Sequence, residues 1–314
     1  HSFAQNPNET TPAFMAAGFE EAAFMATFQN GILSTNANLP AVEDSPESHN
    51  DTLAAALCCG VRDYVHGNGF KEVVIGLSGG IDSALTAALA VRALGAENVT
   101  GLLMPSPYSS DHSLGDAEKL AQNLGIKTHT VAIDPGMHAF ETMLKSVFKD
   151  TTEDVTEENI QSRVRGALLM AYSNKFGGML LSTGNKSELS VGYSTLYGDM
   201  NGGFNPIKDL YKTTVFALCT HLNKNEEIIP ENILSKPPSA ELRPDQLDSD
   251  TLPDYDTLDT ILKQATEEHK SVDEIAEGGI NKQVAEKIMR MLRLAEHKRR
   301  QACPGVKVSH VAFG

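Results

Sequence analysis

The chain has 314 residues, with 26 Lys and Arg against 41 Asp and Glu, for a formal net charge of −15 at pH 7. That balance argues against a general nucleic-acid binder, because nothing here would neutralise a run of phosphates. Apolar (41%) and charged (21%) fractions are those of a soluble globular protein whose core needs no staples, and no run approaches the roughly 18 apolar residues of a membrane-spanning helix.

Cys58 and Cys59 are adjacent and poorly placed to pair, Cys219 and Cys303 stand apart, and no C-x-x-C occurs. Neither a zinc site nor a disulfide framework is suggested, and reduced thiols in a cytoplasmic protein are the expectation. Residues 1–50 are rich in Asn, Thr, Ser and Pro and read as a tail or linker that docks through an amphipathic patch around Phe14–Phe28. Within it the apolar stretch 22–28 follows Glu20-Glu21 with no basic region before it, a poor signal peptide.

One large domain is expected over 51–314. From Asp51 or Thr52 as N-cap, a helix runs to Gly67. Val73, Val74, Ile75 and Leu77 form a β-branched run suited to a strand buried on both faces. It breaks into Ser78-Gly79-Gly80, and the Ala/Leu-rich segment 84–94 is helical. Residues 99–104 read as a second strand, Asp111 caps a helix that Gly125 closes, and 127–133 is a third strand. A helix follows near 135–148. Thr156 caps another, carrying Asn159, Arg163 and Arg165, and 178–182 is the fourth strand. This alternation implies an α/β fold, a doubly wound parallel sheet with Rossmann-like winding. Ligands then bind beyond the carboxyl ends of the strands, where 78–83, 105–110 and 183–188 fall. Prolines and aspartates crowd 231–256, a loop and candidate lid. C-terminal helices follow over 255–268, 271–277 (with Ser271 and Glu274 as a capping box) and 282–300.

The sharpest chemistry lies at 76–83. A strand, a glycine turn and a helix N-terminus make an anion site, since glycines admit a ligand close to the backbone and unpaired helix N–H groups favour negative charge. No lysine follows the glycines as a P-loop requires, and no G-x-G-x-x-G occurs. Asp82 instead sits among the phosphate-seeking N–H groups, which makes sense if it carries Mg²⁺. Two other readings stand beside this one. A plain βα turn would use the glycines for packing. Gly76-Leu77-Ser78-Gly79-Gly80 also satisfies the G-x-S-x-G elbow of a serine hydrolase, with His297 or His310 as its histidine. The elbow gives no role to Asp82 or Ser83.

S-G-G-x-D-S resembles the loop of the ATP pyrophosphatases. Further blocks narrow the likeness: 104–110 (MPSPYSS), 181–188 (LSTGNKSE), Tyr197-Gly198-Asp199, Asn205-Pro206 through Lys212, 237–242 (PPSAEL) and 297–300 (HKRR). In this order, over about 52–302, they resemble an NAD synthetase of the adenine nucleotide alpha hydrolase-like superfamily. The resemblance implies ATP-dependent amidation of deamido-NAD through an adenylate, giving NAD⁺, AMP and pyrophosphate, with ammonia as nitrogen source. A GMP synthetase-like amidoligase is the alternative within the superfamily.

By the same resemblance, ATP contacts fall on Gly76, Leu77, Ser78, Gly79, Gly80, Ile81, Asp82, Ser83, Met104, Thr183, Lys212 and Ser239. Asp82 and Glu188 correspond to Mg²⁺ ligands. Asn159, Arg163, Glu188, Tyr193, Ser194, Asp199, His297 and Lys298 correspond to deamido-NAD contacts. Asp82, Asp199 and Lys212 carry the catalysis, Asp199 as the acid that takes a proton from ammonium and Lys212 as a partner of phosphate charge. Family members are homodimers, so a homodimer is implied. Leu196 and Gly203 stand where short ammonia-using members carry Lys and an acid. With 107–110 and 182–185, that points to the synthetase half of glutamine-dependent enzymes. A glutaminase domain or subunit is therefore a possible partner, although fifty residues cannot hold one and no Glu-Lys-Cys set precedes Asp51.

Overall fold

A computed structural model describes residues 3–4, 14–15, 18–19, 25–30, 32–35, 46–243 and 246–313. Two short antiparallel pairs lie near the start, β1 (Phe3–Ala4) with β2 (Phe14–Met15) and β3 (Ala26–Gln29) with β4 (Ile32–Thr35). Phe19, Met25 and Phe28 of the expected docking patch stand exposed. The first helix, α1 (Pro46–Gly67), begins five residues before the expected cap. Pro46 opens it at a position where a missing N–H costs nothing and φ is already set.

The centre is a four-stranded parallel sheet of β5 (Val73–Gly76), β6 (Val99–Leu103), β7 (Lys127–Thr130) and β8 (Met179–Leu181) in the order β7-β6-β5-β8. Strand alternation sends Val73, Ile75, Leu103, Met179 and Leu181 to one face. There they pack with α1, α2 (Ile81–Leu94) and α7 (Lys212–Leu222). Val74, Leu102 and Leu180 point the other way, against Leu169, Met170 and Tyr172 of α5 (Val155–Phe176). Both faces are covered, the arrangement that all-parallel sheets need. Each fully buried branched side chain contributes roughly 1.5–3 kcal/mol.

Several helix starts differ from the sequence expectation. α3 (Asp111–Leu124) is capped by Ser110, whose side chain accepts from Ser113 N–H, and closes on Gly125 in the left-handed region. α5 is capped by Asp154 in a capping box with Glu157; Thr156 supplies an N–H. In both cases the neighbouring residue has the extended backbone that a cap requires. α4 (Asp134–Leu144) is shorter than expected.

After β8 the chain forms α6 (Lys186–Val191) and α7, then α8 (Glu231–Ser235) inside the stretch read as loop. Three further helices, α9 (Tyr255–Thr266), α10 (Val272–Glu277) and α11 (Lys282–Leu294), join α6 around a second core of Leu258, Ile261, Leu262, Ile275 and Ile288. The Ser271–Glu274 capping box is present. The expected helix over 282–300 breaks at Ala295, and α12 (Glu296–Arg299) continues it. No described helix is long and apolar enough to cross a membrane.

Candidate active site

Beyond the carboxyl ends of β5, β6 and β8 lies a cavity of about 440 Å³. Its floor is the loop between β5 and α2. Gly80 caps α2 with an extended backbone and no side-chain hydrogen bond, so the first N–H groups of the helix face the cavity. Gly79 has φ 76°, and a Cβ there would sit 2.2 Å from the Ser113 carbonyl oxygen. Glycine is thus required both by backbone conformation and by the close approach of α3.

The serines fold the loop onto itself. Ser83 Oγ donates to Gly80 O (2.9 Å) and accepts from Ser78 N–H (3.3 Å), while Ser78 Oγ accepts from Gly80 N–H (3.2 Å). Among the described residues no histidine hydrogen-bonds to Ser78 or lines the cavity: His297 is exposed with Nδ1 at Leu294 O, and His310 is exposed. Neither nominated histidine serves the hydrolase elbow as its base.

Above the loop, Lys212 opens α7 and is almost wholly buried. Its Nζ lies 2.5 Å from Asp82 Oδ2 and 3.0 Å from Glu188 Oε1, and 5.3 Å from the centre of the Tyr255 ring. Asn185 clamps the same group from the other side. Its Nδ2 donates to Asp82 Oδ1 (2.9 Å), while its Oδ1 caps α6 by accepting from Glu188 N–H (3.0 Å). Burial works against the Lys212 charge, but Asp82 and Glu188 outweigh it and hold the ammonium pKa above its ordinary value. Burial pushes the Glu188 carboxyl up to about 8; Asp82 and Asp248 add to this and Lys212 opposes it.

α5 supplies the opposite wall through Glu158, Asn159, Ser162, Arg165, Gly166 and Leu169. Against it lies the turn carrying Asp199. Ser162 Oγ donates to Asp199 Oδ1 (3.2 Å) and accepts from its N–H (3.0 Å), and Thr195 N–H donates to Oδ1 (2.6 Å). A Cβ on Gly198 would fall 2.3 Å from Ser162 Oγ, and Tyr197 adopts φ 63°, so the turn is pressed onto the helix at a cost in backbone strain. Asp199 keeps an open face on the cavity, yet the protein packed around its carboxyl disfavours the charge and raises its pKa in spite of its hydrogen bonds. Lys298 Nζ ties down the adjoining segment by donating to Gly192 O (2.7 Å) and Ser194 O (2.6 Å).

The third wall is 236–242 together with Gln246 and Asp248. Glu241 Oε1 accepts from Ser113 Oγ (2.6 Å), Lys236 Nζ (2.9 Å) and Ser110 Oγ (3.2 Å), which pins the segment to the start of α3. Gln161 Nε2 donates to Leu242 O (2.8 Å), and Tyr255 Oη donates to Asp248 Oδ2 (2.7 Å).

Among the residues singled out in the sequence, Gly76 to Ser83, Met104, Asn159, Thr183, Glu188, Tyr193, Ser194, Asp199, Lys212, Ser239 and Lys298 all line this cavity. Arg163 and His297 do not. Arg163 is exposed and its Nε donates to Leu196 O (3.2 Å) on the outside of α5. Arg165 lines the cavity instead, with Nε donating to Met104 O (3.1 Å); burial lowers its pKa to about 10, so it stays charged. The helical spacing 158, 162, 165, 166, 169 could have shown this face. Asn185 lay inside a quoted block without a role. Glu241 stands in the 237–242 block without an assigned role, and Lys236 and Asp248 have no periodic signal, because they flank short helical turns in a Pro- and Asp-rich stretch.

A family model described as NAD synthase matches residues 53–302. The chain belongs to the NAD synthase family. It is 55% identical over 278 residues to the glutamine-dependent NAD(+) synthetase of Synechocystis, covering 88% of this chain and 49% of that protein. Among solved structures it is similar to the glutamine-dependent NAD+ synthetase of Acinetobacter baumannii in complex with ADP. The TM-score there is 0.67 at 40% identity, over 97% of this chain and 55% of that one. It is also similar to the NH3-dependent NAD synthetase of Campylobacter jejuni, with a TM-score of 0.64 at 30% identity, over 83% and 98%. The chain spans about half the length of the curated relatives it matches. The four-stranded parallel sheet flanked by helices is the adenine nucleotide alpha hydrolase-like fold expected of NAD synthetases.

Proposed function

We propose that this chain is the synthetase unit that converts the carboxylate of deamido-NAD to an amide at the expense of ATP, with ammonia as nitrogen source. The observation that carries the reading is the Lys212–Asp82–Glu188 group directly above the uncapped glycine loop. It places a cation and two hard oxygen donors where a triphosphate on that loop would need them. Ammonia cannot expel oxide from a carboxylate, so the acid needs activation. The carboxylate oxygen attacks the α-phosphorus of ATP, a new O–P bond forms, and the bond to pyrophosphate breaks. Ammonia then forms the C–N bond and AMP leaves.

In this reading Ser78, Gly79, Gly80 and Ser83 cradle the leaving pyrophosphate, and Lys212 meets the charge that grows on it. Met104, Thr183 and Ser239 border the nucleotide. Asn159, Tyr193, Ser194 and Lys298 border the dinucleotide, and Arg165 adds a cation that the sequence reading did not assign. Asp199 takes the proton from ammonium, its raised pKa making it a better acceptor.

Asp82 and Glu188 suit Mg²⁺. Two carboxylates already converge on one cation here, and among the described residues no cluster of three or more His, Cys, Asp or Glu side chains could enclose a metal. Such a pair fits an ion that uses one or two carboxylates and completes its shell with substrate phosphates and water. Bound there, Mg²⁺ would neutralise phosphate charge. The reading extends to a homodimer, a cytoplasmic setting and, from the names of the glutamine-dependent relatives, a glutaminase domain or subunit as ammonia donor.

Pyrophosphate release with ATP, Mg²⁺ and ammonium, with and without deamido-NAD, tests the reaction. Release that depends on deamido-NAD and yields NAD⁺ is expected. Release supported by XMP instead would move the substrate to a GMP synthetase-like acceptor, and ester cleavage lost in Ser78→Ala would return the hydrolase.

Titration of Glu188 gives a second check. Burial raises its pKa to about 8, so in the free protein it holds part of a proton at neutral pH against the pull of Lys212, while a bound cation needs the carboxylate. Binding of ATP with Mg²⁺ should therefore release up to about one proton at pH 7, fading above pH 8. Calorimetry in buffers of different ionisation enthalpy reads this directly. Glu188→Gln should abolish the release, and an unchanged release in that variant would count against the assignment.

A further inference from the structure

Asp248 stands on the cavity wall with only half of its carboxylate satisfied. It opens a short helical turn, Asp248–Asp250, and the residue is only 5% exposed. Tyr255 Oη donates to Oδ2 (2.7 Å), while Oδ1 is buried and, among the described residues, has no hydrogen-bond partner. A buried carboxylate oxygen is costly unless a donor meets it. The backbone leaves Asp248 little room to turn away. Its N–H donates to Pro238 O (3.2 Å), and its carbonyl accepts from the N–H groups of Thr251 (3.2 Å) and Leu252 (3.0 Å).

The surroundings indicate which donor is missing. Asp248 is close enough to Asp82, Glu188 and Lys212 for the charges to act on one another. The Tyr255 ring joins them, its centre 5.3 Å from Lys212 Nζ. Three carboxylates thus gather around one ammonium, and two of them touch it. Among the described residues, however, no three such side chains come close enough to hold one ion directly. An ion shared by Asp82 and Glu188 leaves Asp248 one shell away. Mg²⁺ gives up its waters reluctantly and keeps several of them, and each offers O–H donors. Resting on the amidation reading, we propose that Asp248 Oδ1 accepts from a water of that Mg²⁺ and so fixes how the ion sits on the phosphates. Asp248 is then a positioning residue, steadied by Tyr255 on its other oxygen, as outer groups orient the ligands of a metal. The hydroxyls of the ATP ribose are the competing donors.

Manganese supplies the readout, because free Mn²⁺ gives a sharp electron paramagnetic resonance signal that is lost on binding. The full chain is titrated with Mn²⁺ and α,β-methylene-ATP, which cannot release pyrophosphate, so affinity is read without turnover. Asp248→Asn is expected to weaken Mn²⁺ binding about tenfold or more, while the affinity for the analogue without metal stays within about twofold. Asp248→Glu keeps the charge but displaces the oxygens by a methylene, and should weaken Mn²⁺ about fivefold. Thermal melting reports folding. If Asp248→Asn does not fold, Tyr255→Phe carries the test, since it releases the carboxylate but keeps the ring beside Lys212, and a loss of about threefold is expected. Mn²⁺ affinity equal to that of the parent in both Asp248 variants overturns the inference. So does Asp248→Glu alone matching the parent, which would mean that charge rather than placement matters. Loss of a whole bound Mn²⁺ in Asp248→Asn would make Asp248 a direct ligand and overturn the water bridge. If 2′-deoxy or 3′-deoxy forms of the analogue bind more weakly to the parent but not to Asp248→Asn, Oδ1 serves the ribose and the metal assignment falls. Failure of the amidation reading is a separate result, a parent that forms no NAD⁺ from deamido-NAD and ammonium, and it removes the inference with it.

Discussion

Lys212→Met is expected to lower kcat for pyrophosphate release about 10²–10³-fold, the usual cost of removing one preorganised group from a site of growing negative charge. The side chain is held in place before substrate arrives, between Asp82 at 2.5 Å and Glu188 at 3.0 Å. Its charge is secure, because the two carboxylates more than offset burial. Methionine keeps the packing against Tyr255 and removes only the ammonium. The fold should survive, since Glu188 readily takes a proton once its partner is gone. Lys212→Arg should not restore the rate, because a planar fork does not replace a point charge in a pocket shaped by two near contacts. Steady-state kinetics with a thermal melt as control decides it. A variant within tenfold of the parent, with unaltered melting, would remove Lys212 from the catalytic group.

Lys186→Met should be the more damaging change for the fold, although it lies only two residues from Glu188. The Lys186 side chain is fully buried. Its Nζ contacts Asp209 Oδ1 (3.0 Å) and Glu267 Oε1 (3.2 Å), donates to Ser309 Oγ (2.7 Å) and Val311 O (2.7 Å), and lies 4.6 Å from the centre of the Tyr211 ring. Asp209 in turn accepts from the N–H groups of Val308 (2.8 Å) and Ser309 (2.7 Å). One cation thus fastens α6, the loop before α7, the end of α9 and the C-terminal segment together. Deleting it strands two buried carboxylates, and breaking such a group costs about 3–5 kcal/mol. Against a typical total of about 5–15 kcal/mol, urea denaturation should show a clear fall in midpoint. A loss below about 1 kcal/mol would mean that the carboxylates find water or protons cheaply. Activity at low temperature should persist, because the network does not enter the cavity.

Much of the fold was legible along the chain. The β-branched run at 73–77, the glycines after it and the Ala/Leu segment beyond describe a strand, a turn and a helix by local rules alone. The same rules found four strands, their parallel winding and the Ser271–Glu274 box. They missed by a few residues where two neighbours compete for one cap, as at Ser110 against Asp111 and Asp154 against Thr156. There the choice depends on which residue has the extended backbone, and the packing of the whole helix sets that.

The candidate site divides the same way. Residues 76–83, Met104, Pro105 and 181–184 lie on the cavity wall, because each stretch follows a strand and parallel strands end on one side; His297, on a helix, does not. Arg163 and Arg165 cannot be told apart by composition. The tilt of α5 against the sheet turns one inward and the other to solvent.

By itself, then, the sequence determined the strand and helix periods, the glycine loop and the chemical groups on offer. Tertiary structure alone decided which groups meet. Lys212 reaches Asp82 across 130 positions and Glu241 reaches Ser113 across 128. Local pattern is set by torsions and neighbours a few residues apart, whereas such contacts depend on how whole elements pack, which no short window contains.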